Sequence, residues 1–178
     1  MTAHSPRILA IEVRRSRFGY ALFEGPRRLL DWGASAVPRR VANRTALAAA
    51  RKRVAAVLRN CRPEIVILRR QRRMRAGKGP ASGTMLRAIS RQTADQLLPV
   101  QFLSRKEIPH AFRAWSAATK QEIAEVLTRI FPELLVRLPT KRKAWQPEHQ
   151  GMIIFDAVAT GYAYLNKDDT SSSSAKES

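Results

Sequence analysis

Apolar and polar positions along the chain fall into two kinds of run. Arg7-Ile-Leu-Ala-Ile-Glu-Val13 is short and almost wholly apolar, the pattern of a central strand. Phe18-Gly-Tyr-Ala-Leu-Phe23 and Arg28-Leu-Leu-Asp-Trp32 follow as further strands, separated by the turns Arg14-Arg-Ser16 and Gly25-Pro26. Three strands in immediate succession predict an antiparallel meander. The period then changes. Leu47, Ala50, Val54, Val57 and Leu58 recur at spacings of three and four, predicting a helix from about Thr45 to Arg59 with Asn43 as its N-cap. Pro63 stops it, and Glu64-Ile-Val-Ile-Leu68 reads as a buried strand rich in β-branched residues. A helix over roughly Thr84 to Leu97 and a strand over Val100 to Leu103 come next. Thr119-Lys-Gln-Glu122 has the spacing of a capping box and opens a helix whose stripe is Ile123, Val126, Leu127, Ile130 and Phe131, closed by Pro132. The stretch from Gln150 to Asn166 is apolar almost all round and predicts a buried helix.

A length of 178 residues suits one domain, expected over residues 1–166, with the Ser-rich stretch 167–178 reading as a disordered tail. Charge changes the picture more than size does. The chain holds 33 Lys and Arg against 14 Asp and Glu, a net charge of +19, where about 2–8 keeps a small domain soluble. A polyanion is the expected partner, and nucleic acid, DNA or RNA, is the commonest one. Positive charge concentrates in the turn Arg14, Arg15 and Arg17, in Arg69, Arg70, Arg72, Arg73, Arg75 and Lys78, and in Lys141, Arg142 and Lys143. These are the candidate nucleic-acid-binding residues. The segment from Arg69 to Gly83 is basic and then rich in Gly, Pro and Ser, which predicts a mobile basic loop. Arg51, Lys52, Arg53 and Arg59 are either a solvated helix surface or ligand contacts. Trp115 and Trp145 flank basic segments, where a tryptophan either stacks on bases or covers a core edge. The lone Cys61 excludes a disulfide framework and a CxxC metal knuckle. No apolar run is long enough for a membrane span and no signal peptide opens the chain, so the expected location is cytoplasmic. Neither a Gly-x-Ser-x-Gly elbow nor a Walker phosphate loop is present, and His110 and His149 have no metal-ligand spacing.

The order β-β-β-α-β-α-β-α-α resembles the ribonuclease H-like fold, a mixed five-stranded α/β sheet with its first three strands antiparallel and helices at its sides. Its details are similar to the RuvC-type Holliday-junction resolvase branch. Ile8-Leu-Ala-Ile-Glu12-Val-Arg-Arg-Ser-Arg-Phe-Gly19-Tyr20 matches the branch's first hairpin, Phe155-Asp156-Ala157-Val158-Ala159-Thr160 its last helix, and Thr119-Lys120 to Phe131-Pro132-Glu133-Leu134 its penultimate helix. The resemblance spans residues 7–166 and implies a site where carboxylates converge on divalent Mg or Mn ions at a phosphodiester. It makes Glu12 and Asp156 the candidate catalytic and metal-binding residues. It also implies positions that this chain fills otherwise. Where the branch ends its fourth strand in Glu, this sequence has Arg69, and the partner of Asp156 three residues away is Ile153 or Ala159. Glu64 is no substitute, because it lies about 16 Å back along the strand at ~3.3 Å per residue. The plainer reading pairs Asp156 with an arginine and lets Glu12 neutralise Arg14, Arg15 or Arg69.

Three functions remain open on the sequence. The first is a nucleic-acid-binding protein that recognises phosphate backbone or structure, with an incomplete metal site. The second is an active Mg- or Mn-dependent nuclease of the junction-resolvase or RNA-processing type, using Glu12, Asp156 and a further carboxylate such as Glu148. The third is a nucleotide-binding protein or a scaffold for an acidic partner, which the missing glycine-rich phosphate loops disfavour. RuvC-type resolvases resemble dimers on symmetric junctions, which makes a homodimer possible.

Overall fold

A computed structural model describes residues 5–14, 17–36, 43–70, 80–141 and 149–167. Five strands form one sheet in the order β3-β2-β1-β4-β5. They are β1 (Arg7–Arg14), β2 (Arg17–Glu24), β3 (Leu29–Ala36), β4 (Ile65–Arg69) and β5 (Val100–Leu103). β1, β2 and β3 are the antiparallel meander, while β4 lies parallel to β1 and β5 parallel to β4.

The alternation of β1 sends its residues to two cores. Leu9, Ile11 and Val13 pack beneath α1 (Asn43–Cys61) and α2 (Pro80–Asp95), against Val54, Leu58 and Ile89. Ile8 and Ala10 face the opposite layer of α3 (Glu107–Ala111), α4 (Lys120–Ile130) and α5 (Met152–Leu165). A strand covered on both faces reads as a continuous apolar run, which makes the charge at Glu12 conspicuous. Gly19 pairs with Glu12 across the β1–β2 ladder. A Cβ there would meet the Ile153 carbonyl oxygen of α5 at 2.4 Å, so glycine is what lets α5 rest directly on the hairpin.

Several elements depart from the sequence reading. α1 already includes Asn43, so the helix starts at or before the residue expected to cap it. β3 runs on through Gly33 to Ala36 because it pairs with β2 from Phe23 back to Arg17. α2 begins at Pro80 and not near Thr84, since proline suits a first helical turn. The loop predicted to reach Gly83 therefore ends by Pro80, and its residues 71–79 lie outside the described ones. The short helix α3 and a 3-10 turn at Arg113–Trp115 were not predicted, and Pro132 opens a second 3-10 helix, Pro132–Arg137. Lys167, placed in the tail by composition, is ion-paired with Glu107, and residues 168–178 lie outside the described ones. Cys61 is buried, and burial with the Asp31 carboxylate beside it pushes its thiol up to about 12, the state of an unreactive packing residue. No helix among the described residues is long and apolar enough to cross a membrane.

Candidate nucleic-acid interface at the strand ends

The carboxyl ends of parallel strands are where open α/β sheets place their sites, and here two charged side chains arrive there together. Glu12 shares the α5-facing side of β1 with Ile8 and Ala10 by the two-residue period. The β1–β4 register pairs Ile11 with Leu68, so the next step sets Glu12 beside Arg69. The Arg69 guanidinium donates to Glu12 Oε1. Glu12 is 1% exposed, and its other oxygen, Oε2, is buried without a hydrogen-bond partner. Burial raises its pKa above the ordinary carboxylate value, and the charges of Arg69, Arg14 and Lys120 oppose that rise without cancelling it.

Asp156 reaches the same place from α5. It is buried in an apolar helix and accepts from the Arg14 guanidinium and from Lys120 Nζ at 3.2 Å. Lys120 is the first residue of α4. There the Thr119 hydroxyl accepts from the Glu122 amide at 3.3 Å while Glu122 accepts from the Thr119 amide at 2.8 Å, the predicted capping box. A cation at a helix N-terminus opposes the helix dipole, so its pairing with Asp156 explains Lys120 where helix stability does not. Three cations thus face two carboxylates. Opposite the site, Glu64 and Arg7 exchange hydrogen bonds at the start of β4, which confirms that Glu64 lies at the wrong end.

The remaining candidates divide. Arg17 donates to Gln150 Oε1 at 3.1 Å at the rim of the site, and Arg70 and Lys141 are exposed. Arg15, Arg72, Arg73, Arg75, Lys78, Arg142 and Lys143, with Trp145 and Glu148, lie outside the described residues. Arg14 and Arg69, expected to grip phosphates, are turned onto carboxylates. Two contributors were missed, Lys120 and Arg105. Both line a hollow of about 160 Å³ with Arg69 and Asp156 over an apolar floor that includes Phe155 and Ile123. A lysine at a capped helix start was the available signal for Lys120.

No family model and no curated protein matches the sequence. Solved structures do. RuvC of Thermus thermophilus in complex with a Holliday-junction substrate superposes with a TM-score of 0.69 at 19% identity, covering 92% of this chain and 96% of that one. A second Thermus thermophilus RuvC structure gives 0.67 at the same identity and coverage. The fold is RuvC-like. The yeast mitochondrial Holliday-junction resolvase Ydc2 is a more distant match, with a TM-score of 0.61 at 12% identity over 94% of this chain and 83% of that one.

A RuvC-like fold raises the question of divalent metal. A two-metal centre needs several hard oxygen ligands converging on one point. Among the described residues no group of three or more His, Cys, Asp or Glu could hold a metal ion. Ile153 and Ala159 offer no ligand beside Asp156, the side chain beside Glu12 at the end of β4 is Arg69 and not a carboxylate, and both carboxylates already carry cations. These residues do not fit a two-metal site.

Proposed function

We propose that this protein binds nucleic acid through the phosphate backbone at the strand ends of its RuvC-like sheet and does not hydrolyse it. The carrying observation is the pairing of Arg69 with Glu12 and of Arg14 and Lys120 with Asp156. Bringing a magnesium ion to Glu12 would displace Arg69 from a carboxylate with almost no access to water, and the cluster would have to hold a divalent charge beside three cations. Phosphate suits the same surroundings. Arg105 lines the hollow at the site, while Arg17 and Arg70 follow Arg14 and Arg69 at the ends of their strands, and backbone contacts of this kind fix register on a duplex without reading bases. Structure, and a branched duplex first of all, is therefore the feature recognised. Two chains on one two-fold junction are part of the proposal.

The test is binding to a four-way DNA junction, a linear duplex and a structured RNA over a series of salt concentrations, with cleavage followed in Mg²⁺ and Mn²⁺. If about six to eight phosphates are neutralised, log K falls with log[salt] with a slope of roughly −5 to −7 on duplex DNA. Sedimentation of the junction complex gives the number of chains. Intact substrate under both metals is expected. Cleavage that chelator and Asp156→Asn both abolish would instead establish the nuclease, and a slope near zero would remove nucleic acid as the ligand.

A further inference from the structure

We propose that a single strand of nucleic acid lies in a basic groove leading from the Glu12–Asp156 site across α3 to Trp115. The proposal rests on the nucleic-acid reading above and adds a second ligand form to it. Two hollows carry it. The first is the one of about 160 Å³ lined by Arg69, Arg105 and Lys120. The second, of about 530 Å³, is lined by Lys106, His110, Arg113 and Ser116. Pro109 and Ala118 border both, so the hollows are contiguous and the cations of the site continue into those of the α3 corner. The sole acid from Arg105 to Arg113 is Glu107, already engaged by Lys167 and the Ser104 amide.

Trp115 sits between Arg113 and Ser116, two residues that wall the second hollow. It is 46% exposed, while Phe112, three residues earlier, is fully buried and stacks on Tyr162 at 5.2 Å. The turn that holds the indole outward is fixed by backbone hydrogen bonds from Trp115 and Ala117 to the Phe112 carbonyl and from Ser116 to that of Arg113. Ser116 closes it with φ at 53°, a left-handed conformation unfavourable for a residue with a side chain. Trp115 does not itself line the hollow, but it shares a turn with Arg113 and Ser116, which do, and an exposed aromatic ring at the end of a cationic track is the pair of features that binds single strands. The track follows the backbone, and the ring stacks on whichever base is unpaired. A closed duplex presents base edges only, so the ring gains nothing from it.

The experiment compares fluorescein-labelled oligo(dT) and oligo(rU), a blunt four-way junction, and the same junction carrying a single-stranded flap. The wild-type chain is expected to bind the oligonucleotides and to prefer the flapped junction. Trp115→Ala should weaken oligonucleotide binding by about 5- to 150-fold, the loss of one base–aromatic stack, and change blunt-junction affinity by less than about twofold. Trp115→Phe should restore most of it, and oligonucleotide should quench tryptophan emission more strongly in the wild type than in Trp115→Phe, which keeps Trp32 and Trp145. Should Trp115→Ala fail to fold, Trp115→Phe and Arg113→Gln carry the test, the latter flattening the single-strand salt slope by about 0.7. Equal losses on duplex and single strand, or none in any variant, would overturn the groove. Binding to junctions without binding to oligonucleotides defeats the groove alone. Binding to neither defeats the nucleic-acid reading as well.

Discussion

Replacing Arg69 by methionine tests the ion-pair cluster most directly. It removes the guanidinium from Glu12 while keeping a long apolar stem, and leaves a carboxylate that is 1% exposed with Oε2 already lacking a partner. Removing one member of a buried pair costs about 3–5 kcal/mol, because the other charge stays uncompensated. The Arg69 side chain is 21% exposed, so some solvent reaches the pair and the lower end, about 3 kcal/mol near pH 8, is expected. For a chain of this size that is a fall in Tm of about 6–12 °C. The pH dependence gives the second arm. Burial already raises the Glu12 pKa above 4.5, and loss of Arg69 raises it further. A carboxyl whose folded pKa lies above its unfolded one costs nothing below the unfolded value. The cost then grows by about 1.36 kcal/mol per pH unit until the folded pKa is passed. The variant should therefore approach wild-type stability at about pH 5 and fall away as pH rises. Adding Glu12→Gln should recover most of the loss, since exchanging both members of a buried pair for neutral groups is close to neutral. Urea denaturation of the wild type, both single variants and the double variant, at three pH values, measures all of this. A loss below about 1 kcal/mol that is flat with pH and unrelieved by Glu12→Gln would refute the claim that Arg69 fills the place of a metal.

Asp156→Asn removes the carboxylate charge that Arg14 and Lys120 share, so binding to a junction should strengthen and the log–log salt slope should steepen; unchanged or weaker binding would show that those cations do not reach phosphate. Gly19→Ala sets a Cβ 2.4 Å from the Ile153 carbonyl oxygen and should cost about 1–3 kcal/mol by chemical denaturation as α5 is pushed off the hairpin. At Glu107 burial acts upward, but the Lys167 ammonium and the Ser104 hydroxyl and amide outweigh it and hold the carboxyl down at about 2. Its contribution is present above the ordinary value of 4.5 and is lost as pH falls toward about 2. Thermal melts should accordingly show Glu107→Gln less stable than wild type at neutral pH, with the two converging in acid.

How much of this was legible depended on whether the signal was local. The central strand and the Thr119 box were, because each is specified by consecutive residues whose own periodicity or capping chemistry fixes them. The collision of Arg69 with Glu12 was also readable, since parallel strands that start together must end together. The roles of Arg14 and Lys120 were not. Arg14 turns on how closely α5 approaches the first hairpin, which Gly19 permits by meeting Ile153 over more than 130 residues of chain, and Lys120 on how α4 packs against α5, and no window of sequence carries either distance. The start of α2 was missed because Pro80-Ala-Ser-Gly83 has the composition of a loop, although its proline is acceptable in a first turn. α3 was missed because five residues with Pro109 among them carry no period to detect.

On the proposed function, the cluster also explains how such a fold would hold together without catalytic ions. A buried carboxylate at the end of β1 must be neutralised by something, and the fold is indifferent to whether that is a divalent ion or a guanidinium, provided the charge sits close. Glu12 and Asp156 on their own would make the crevice acidic and repel a polyanion. Metal ions in a nuclease correct this only while they are bound. Arg69, Arg14 and Lys120, the last at the first residue of α4, would correct it without them. If the proposal holds, affinity for phosphate no longer depends on metal concentration, whereas hydrolysis, which needs an activated water between oxygen-ligated ions, would lose its means. Binding and cleavage, coupled through the same ions in a metal-dependent nuclease, become separable, and the measurement that shows it is junction affinity in chelator equal to that in magnesium at matched ionic strength.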